Sequence, residues 1–315
     1  MKRAAKKRAI RPRTLSKGDT VGIVAPASCM NREAFVQGCE ALRELGYKPF
    51  YFDSIFARDI YFAGSAEQRA RDLEAMFEND DVAAILCARG GYGANYLLEL
   101  LDIEKILAHP KPFVGYSDVT TLLTWFTDHG LVTFHGPMVA PDFSRSDGID
   151  VKAWRSVLGG ESFERKFTRR AGVHAMVEGE CEGTLYGGCL SMLTASLGTP
   201  YEVHTEGSIL FIEDLAAKPY QVDRMLMQLK LAGKFEGVRG IIFGEMLECV
   251  QPGSHDYTLE GVVARVVGDL GIPVAYGVRS GHVTSGNVVL PIGVKTRMSA
   301  RKNGVTLQTE PATRK

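Results

Sequence analysis

The first 140 residues alternate short apolar runs with longer segments in which apolar residues recur every three or four positions. Residues 20–25 and 82–88 are nearly continuous apolar runs, as in strands buried on both faces. Between them, residues 32–45 carry apolar side chains at helical spacing, and Gly46 follows as a stop signal. This pattern predicts strands and helices in alternation.

The same alternation continues up to residue 128. A capping box formed by Ser65 and Gln68 predicts the start of a second helix. Further along, the pattern predicts a helix at 94–107, a strand at 112–116 and a helix at 118–128. Continuously apolar strands separated by helices favour an α/β fold with a parallel sheet covered on both faces.

The pattern weakens between residues 141 and 180 and resumes near Gly183. Strands are predicted at 208–212, 240–244 and 273–276, helices at 221–231 and 259–270, and short alternating β segments close the chain. With 315 residues, two domains are expected. The predicted organisation is a flexible basic tail (1–14), an N-terminal α/β domain (15–142), a linker or insertion (143–182) and a C-terminal α/β domain (183–315).

Composition indicates an ordinary globular protein, with 45% hydrophobic residues and 37 basic residues balancing 37 acidic ones. This balance gives no reason to expect nucleic acid or an anionic membrane as a partner. The basic tail lacks the apolar run of a secretory signal, and no apolar run approaches the ~18 residues of a membrane span. The six cysteines form no C-x-x-C pair, which favours a reducing, cytoplasmic setting without a metal site.

Candidate chemistry is sought at the carboxyl ends of the predicted strands, where ligands collect in open α/β sheets. Ser117 follows one strand, Glu213 follows another, and His282 follows a third. A serine, a histidine and a carboxylate can serve as nucleophile, general base and the group that orients the base. The three residues are therefore candidates for one catalytic site.

The corner at Ser117 has two interpretations. A nucleophile elbow prefers small residues two positions before and after the serine; Gly115 satisfies the first position and Val119 fails the second. Alternatively, Ser117 is only the polar cap of the helix that follows. In either case the backbone N–H of Asp118 lies at a helix start, where an oxyanion would be stabilised.

A glycine-rich corner follows the strand at 82–88, with Gly90, Gly91 and Gly93. It does not complete the G-x-G-x-x-G motif of dinucleotide sites. A phosphate cradle, a second oxyanion donor and a purely structural turn all remain open. His135, at another strand end, is the one rival to His282, although a structural role is preferred for it.

Several of these segments together resemble the LD-carboxypeptidase family, serine peptidases that trim bacterial cell-wall muropeptides. The resemblance covers roughly residues 15–305 and rests on the segments GDTVGIVAPAS, ARGGYGANYLLELLD, VGYSDVTTLL, TFHGPM, GTLYGGCLSML, LFIEDLAAKPYQVDRMLMQL and YGVRSGHVTSGNVVLPIG. It implies a flavodoxin-like N-terminal domain, a smaller α/β C-terminal domain and an active site in the cleft between them. It also implies a triad of Ser117, His282 and Glu213, with an oxyanion hole from the backbone N–H groups of Asp118 and the Arg89–Gly90–Gly91 turn.

The implied reaction is release of the terminal D-alanine from an L,D-peptide bond of a muropeptide tetrapeptide, without a cofactor. An exopeptidase must also bind a free carboxylate, for which Arg89 and Arg279 are the candidates. The family also suggests a homodimer. Two positions depart from the family pattern, Ala217 and Cys189, and they leave the exact substrate open.

Two other functions are kept as alternatives. Some relatives resemble self-immunity peptidases that cleave acylated adenylates of peptide antibiotics; these need an aromatic platform for the base, for which Trp154 is considered. The second alternative is a nucleotide- or sugar-binding α/β module without catalysis, built on the glycine-rich corner.

Overall fold

The computed structural model describes residues 9–251, 253 and 255–315 of the chain. Residues 1–8 of the predicted basic tail therefore lie outside the described residues. The rest of that tail is paired with the body of the protein: Ile10 forms a bridge with Leu131, and Arg13 forms one with Arg314.

The described chain contains strands and helices in the alternation that the sequence predicts. The strands are β1 (Thr20–Val24), β2 (Lys48–Phe50), β3 (Val82–Cys87), β4 (Phe113–Gly115), β5 (Thr133–His135), β6 (Glu164–Thr168), β7 (His174–Val177), β8 (Gly179–Cys189), β9 (Ser208–Glu213), β10 (Gly240–Gly244), β11 (Val274–Val278), β12 (Leu290–Ile292), β13 (Lys295–Arg301) and β14 (Gly304–Thr309). The helices are α1 (Arg32–Glu44), α2 (Ala66–Glu78), α3 (Ile103–Ala108), α4 (Thr120–Asp128), α5 (Val151–Leu158), α6 (Leu190–Ala195), α7 (Pro219–Leu231) and α8 (Leu259–Val267). Within the described residues, none of these helices has the length and apolar character needed to cross a membrane.

The first sheet, called sheet A, has the strand order β12-β5-β4-β3-β1-β2. Its five N-terminal strands are parallel and follow the order 2-1-3-4-5 of flavodoxin-like folds, with β12 antiparallel at the edge. Residues of β3 contribute to two separate apolar cores, one covered by α1 and the other by α2 and α4. This confirms the prediction of a parallel sheet buried on both faces.

The second sheet, called sheet B, has the order β6-β14-β13-β8-β9-β10-β11-β7. Its central strands β8 to β11 are parallel, and the outer strands pair antiparallel. The segment 143–182 contributes α5, β6 and β7, and both of these strands lie in sheet B. Strand β12, from the C-terminal half of the chain, joins sheet A. The two halves therefore share one continuous core.

The predicted helix at 94–107 is wrong as a single element. The structure has a 3₁₀ turn at Ala94–Leu97 and a separate helix α3. The break occurs because the Asp102 carboxylate accepts a hydrogen bond from the amide of Glu104 and so begins a new helix. Similarly, Ser65 caps α2 through the amide of Gln68, but the Gln68 side chain donates to the carbonyl of Ser54, which leaves the predicted capping box half formed.

Candidate active site

Ser117 lies on a strained corner between β4 and α4. Its φ angle is +63°, in the left-handed region that costs a non-glycine residue about 1–2 kcal/mol, and it begins a short 3₁₀ turn that leads into α4. Strand, sharp turn and helix are the elements of a nucleophile elbow. Val119, which the elbow pattern disfavours, is accommodated because it packs onto Gly115, where an added Cβ would lie 2.8 Å from its Cγ1.

The alternative role of Ser117 as a helix cap has no support in the hydrogen bonds. The N-cap residue of α4 is Val119, and among the described residues no capping hydrogen bond comes from the serine side chain. The hydroxyl is therefore not committed to the helix start. It is available to a substrate.

The glycine loop, residues 89–93, packs directly against this corner. A Cβ on Gly90 would lie 2.7 Å from Cβ and 3.0 Å from Oγ of Ser117, so only glycine permits the approach. Ser28 orients the loop: its amide donates to the carbonyl of Gly90 at 3.2 Å, and its hydroxyl accepts from the amide of Tyr92 at 3.1 Å. In the described part of the chain the amides of Gly90 and Gly91 have no acceptor, as an oxyanion hole requires.

The side chain of Asp118 fastens the glycine loop to the serine corner. Its Oδ2 accepts a hydrogen bond from the amide of Ala94 at 2.7 Å, while the buried Arg69 donates to the carbonyl of Gly93 at 2.8 Å. Burial raises the pKa of Asp118 to about 6, against the opposing effect of the amide of Ala94 and the charge of Arg69. The Asp118 side chain therefore occupies the amide that directly follows the glycine loop.

Glu213, at the end of β9, and His282, in the loop after β11, form a hydrogen-bonded pair. Glu213 is the last residue of β9 and is fully buried; its Oε2 accepts from Nδ1 of His282 at 2.7 Å and from the His282 backbone amide at 3.0 Å. The imidazole packs edge-on against the ring of Tyr116, with 4.9 Å between ring centroids. Since Tyr116 directly precedes Ser117, the structure brings the three predicted residues into one region, with Nδ1 of His282 engaged by the carboxylate.

The two members of the pair shift each other's protonation. Burial alone would raise the pKa of Glu213, but the neighbouring His282 and His135 imidazoles outweigh it and hold this pKa well below its usual range. Burial alone would lower the pKa of His282, but the charge and hydrogen bond of Glu213 raise it above its ordinary value. The arrangement fixes one tautomer of His282 and stabilises its protonated form.

His135, the predicted rival, lies on the other side of the same carboxylate. It is fully buried, its Nδ1 is 2.9 Å from Oγ of Ser280, and its Nε2 faces Oε1 of Glu213 at 3.8 Å, beyond hydrogen-bond distance. Gly281 permits this approach, because a Cβ there would lie 2.7 Å from both side chains. His135 thus belongs to the wall behind Glu213.

The two arginine candidates differ in their surroundings. Arg89 is exposed, donates to the carbonyl of Cys29 at 2.9 Å, and forms no ion pair with any described residue. Arg279 lies 3.8 Å from Glu245, which also accepts hydrogen bonds from Thr284. Arg89 is therefore the more available partner for a carboxylate.

The departures from the family pattern lie close to Glu213. Cys189 pairs with Glu213 in the register of β8 and β9 and is buried, which raises the pKa of its thiol well above the ordinary value and keeps it neutral. Ala217 is half-buried four residues after Glu213. No group of three or more His, Cys, Asp or Glu side chains in the described residues could hold a metal ion.

The polar residues that connect the site were not predicted from the sequence; chief among them are Arg69, Asp142, Ser280 and Asn287. All four are buried. A charged or amide side chain inside an apolar or strand-end segment is a signal that could have singled them out, because such groups are buried only with partners.

Comparison with known proteins places this geometry in a family. Models of the LD-carboxypeptidase N-terminal and C-terminal domains match residues 21–136 and 182–298. A probable murein peptide carboxypeptidase of Bacillus subtilis is 38% identical over 301 residues, covering 95% of this chain and 94% of the relative. The crystal structure of muramoyltetrapeptide carboxypeptidase from Oxalobacter formigenes superposes with a TM-score of 0.84 at 28% identity, covering 94% of this chain and 100% of that one. A structure of MccF in complex with glutamyl sulfamoyl guanosine gives a TM-score of 0.88 at 26% identity, covering 96% and 99%. The chain belongs to the LD-carboxypeptidase family.

Proposed function

We propose that this protein is a serine carboxypeptidase that releases the terminal D-alanine from the L,D-peptide bond of muropeptide tetrapeptides. The observation that carries the proposal is the hydrogen-bonded Glu213–His282 pair beside the left-handed corner of Ser117. Membership of the family supports it, as does the similarity to relatives named as murein peptide and muramoyltetrapeptide carboxypeptidases.

In the first half of the reaction Ser117 Oγ attacks the carbonyl carbon of the scissile bond, and His282 Nε2 takes the hydroxyl proton. The negative charge that develops on the carbonyl oxygen is stabilised by the backbone N–H of Asp118 and by one from the Gly90–Gly91 turn. Glu213 stabilises the imidazolium through Nδ1. The C–N bond then breaks, and the nitrogen of D-alanine leaves with the proton from His282.

In the second half water attacks the ester on Ser117. His282 accepts a proton from this water and passes it to Oγ of Ser117 as the C–O bond of the ester breaks. The tripeptide product leaves with a new carboxylate, and the enzyme returns to its starting state. No cofactor or metal ion takes part in this scheme.

Recognition of the terminal carboxylate is assigned to Arg89. Its guanidinium belongs to the glycine loop that carries the proposed oxyanion donors, and it has no ion-pair partner among the described side chains. A carboxylate bound there lies near the scissile bond of a substrate that ends one residue later. This explains a preference for removal of a single terminal residue.

The acyl-adenylate alternative is disfavoured by the position of Trp154. This indole is fully buried and packs against Phe143, with ring centroids 5.1 Å apart, so it cannot serve as a platform for a base. The similarity to MccF keeps this substrate class as a necessary arm of the test.

The experiment incubates the wild-type protein and Ser117→Ala with three ligands: a tetrapeptide muropeptide ending in D-alanine, the same peptide ending in L-alanine, and an acyl sulfamoyl or phosphoramidate adenylate. Products are weighed by mass spectrometry. We expect the wild type to remove one alanine from the first ligand only, and Ser117→Ala to remove none.

Other outcomes would contradict the proposal. Cleavage of the adenylate without loss of D-alanine would assign the site to the immunity class. Tight nucleotide binding without turnover of any ligand would assign it to a binding module. If Ser117→Ala were as active as the wild type, the serine mechanism would be ruled out.

We also infer a cytoplasmic homodimer with the predicted organisation of a tail, an N-terminal domain, a linker and a C-terminal domain. All six cysteines are free thiols, which supports a reducing compartment. Light scattering of the purified protein tests the dimer, for which the expected mass is twice the 34.4 kDa of the chain.

A further inference from the structure

The side chain of Asn287 forms hydrogen bonds with both the backbone N–H and the backbone C=O of Gly281, the residue that precedes His282. The amide of Gly281 donates to Oδ1 of Asn287 at 3.0 Å, and Nδ2 of Asn287 donates back to the carbonyl of Gly281 at 2.9 Å. Asn287 is fully buried, so neither bond competes with water. The side chain thereby fixes the peptide from which His282 projects.

Asp142 connects this clamp to the other half of the molecule. It lies on a single π-helical turn after β5, where its Oδ1 accepts from Nδ2 of Asn287 at 3.2 Å and its Oδ2 from the amide of Met138 at 2.8 Å. The Tyr116 hydroxyl and this carboxyl also affect each other electrostatically: the hydroxyl lowers the pKa of Asp142, and the carboxyl raises the pKa of Tyr116. Asp142 therefore lies within electrostatic reach of the residue that precedes Ser117, and through Asn287 it is linked to the residue that precedes His282.

A purely architectural role does not account for these side chains. The same segments are already joined by backbone hydrogen bonds, from the amide of Asn287 to the carbonyl of Gly148 and from the amide of Asp150 to the carbonyl of Asn287. Placing a carboxyl at this buried point is costly, because burial raises the pKa of Asp142 to about 6. An apolar side chain would fill the space at lower cost, but it would accept a hydrogen bond neither from Nδ2 of Asn287 nor from the amide of Met138.

We propose that Asp142 and Asn287 are positioning residues that form a bracket between the nucleophile and the base of the active site. The bracket, defined as Tyr116, Asp142, Asn287 and Gly281, sets the ring of His282 relative to Ser117 across the boundary between sheet A and sheet B. The proposal rests on the proposed roles of Ser117 and His282. Neither positioning residue touches the reacting atoms.

The test measures how fast Ser117 is labelled by a small alkyl fluorophosphonate. In this reaction Oγ of Ser117 forms a bond to phosphorus, the P–F bond breaks, and the serine proton leaves through His282 while fluoride departs. The rate depends on alignment of nucleophile and base but not on recognition of a peptide. Labelling is followed by intact mass, next to kcat and KM on the tetrapeptide and thermal melting.

The variants are Asp142→Asn, Asn287→Asp and the double exchange that carries both substitutions. Asp142→Asn removes a charge and one acceptor; Asn287→Asp removes the donor to Gly281 and sets two carboxyls against each other. We expect labelling and kcat to fall together, by about 10- to 100-fold in each single variant, with KM within about 2-fold, as for a misplacement on the order of 1 Å. The double exchange restores one donor–acceptor contact between positions 142 and 287, so it should label faster than Asn287→Asp alone.

Thr296→Val provides the matched control. This buried threonine of β13 donates its hydroxyl to the carbonyl of Val294, so its loss also removes a buried hydrogen bond. We expect a lower melting temperature with an unchanged labelling rate. If the bracket variants also melted at a lower temperature but kept the wild-type labelling rate, the proposal would be overturned.

If Asp142→Asn or Asn287→Asp does not fold, Tyr116→Phe serves as a milder variant. It removes only one hydroxyl and leaves the ring packed against His282. A labelling rate below that of the wild type supports the bracket, and a wild-type rate overturns it. If the wild-type protein itself is not labelled at Ser117, the proposed catalytic site fails together with the bracket. If it is labelled and the folded variants label equally fast, only the bracket fails.

Discussion

Sheet A and sheet B shape their halves of the site by different physical means. On the side of sheet A, backbone geometry dominates: a serine at φ +63° and a glycine whose Cβ would lie 2.7 Å from the serine Cβ. On the side of sheet B, buried charge dominates: a fully buried carboxylate holds both the ring and the backbone of His282. The first half stores strain and the second stores electrostatic energy.

This difference predicts how each half responds to change. Where backbone geometry dominates, the size and φ preference of a residue should decide the outcome. Where charge dominates, isosteric substitutions should act strongly, and their effects should follow the titration of the pair. Substitutions in each half probe this contrast, and the changes we predict decrease in the order Ser117, Glu213, Asp118 and the two arginines.

The largest effect is expected from Ser117→Ala and Ser117→Gly. Both remove the nucleophile, so kcat should fall by about 10⁴-fold or more. Glycine also relieves the left-handed strain, so Ser117→Gly should unfold with a free energy about 1 kcal/mol higher than Ser117→Ala. Denaturant titration measures this difference. Equal stabilities would show that the corner stores no strain.

A large effect is also expected from Glu213→Gln, which keeps the shape and removes the charge. We expect kcat to fall by about 10²–10⁴-fold, since the imidazolium loses its partner. In the wild type the pKa of His282 lies above its ordinary value of 6.5, so kcat/KM should rise with pH through a limb above 6.5. In the variant, burial of His282 should outweigh the remaining charges of Asp214 and Asp142, and the limb should move below 6.5.

Stability provides an independent check of the same pair. The pKa of Glu213 is depressed in the folded protein, so its contribution to stability is present above 4.5 and is lost as pH falls below that value. The pKa of His282 is raised, so its contribution is present below 6.5 and is lost as pH rises through the folded value. Glu213→Gln should flatten the acidic limb of the pH–stability curve and reverse the slope of the limb near 6.5, because the pKa of His282 in the folded variant then lies below its unfolded value. Parallel curves for the two proteins would contradict the charge-based half of the comparison.

A moderate effect is expected from Asp118→Asn, which loosens the glycine loop. We expect kcat to fall by about 10-fold, the equivalent of one hydrogen bond worth ~1.4 kcal/mol. Burial raises the pKa of Asp118 to about 6 from 3.8, so the folded state binds more protons than the unfolded state between these values. The wild type should therefore gain about 1 kcal/mol relative to the variant between pH 7 and pH 5. Unfolding at both pH values measures this gain, and a loss instead would show the pKa of Asp118 to be depressed.

The smallest effect is expected from the two arginines. Arg89→Ala should raise KM by about 10-fold, because one charge-assisted contact to the substrate carboxylate is lost. Arg279 already faces Glu245, so Arg279→Ala should change KM by less than about 3-fold. A tetrapeptide with an amidated C-terminus is the control: it should be a poor substrate for the wild type and should not distinguish the two variants. If Arg279→Ala raised KM more than Arg89→Ala did, the substrate carboxylate would be assigned to Arg279 instead of Arg89.

Much of the fold follows from local pattern. The continuous apolar runs of β1 and β3 indicate strands buried on both faces, and the helical spacing between residues 32 and 45 gives α1. The helix predicted at 94–107 failed because the cap at Asp102 competes with apolar periodicity that continues on both sides of it. The pairing of β12 with β5 could not be predicted, since nothing in residues 290–292 indicates which sheet they join.

Local sequence already indicated which side chains could act, because nucleophile, base and carboxylate stand at strand ends, and the carboxyl ends of strands in such sheets converge. Tertiary packing alone set the left-handed turn at Ser117, the place of His135 behind Glu213, and the meeting of Asp142 with Asn287 across the sheet boundary. The physical reason is that strand and helix patterns reflect interactions between residues a few positions apart. The contacts of the site join residues far apart in the chain, such as Asp142 and Asn287, which are separated by 145 positions, and only the folded core brings those together.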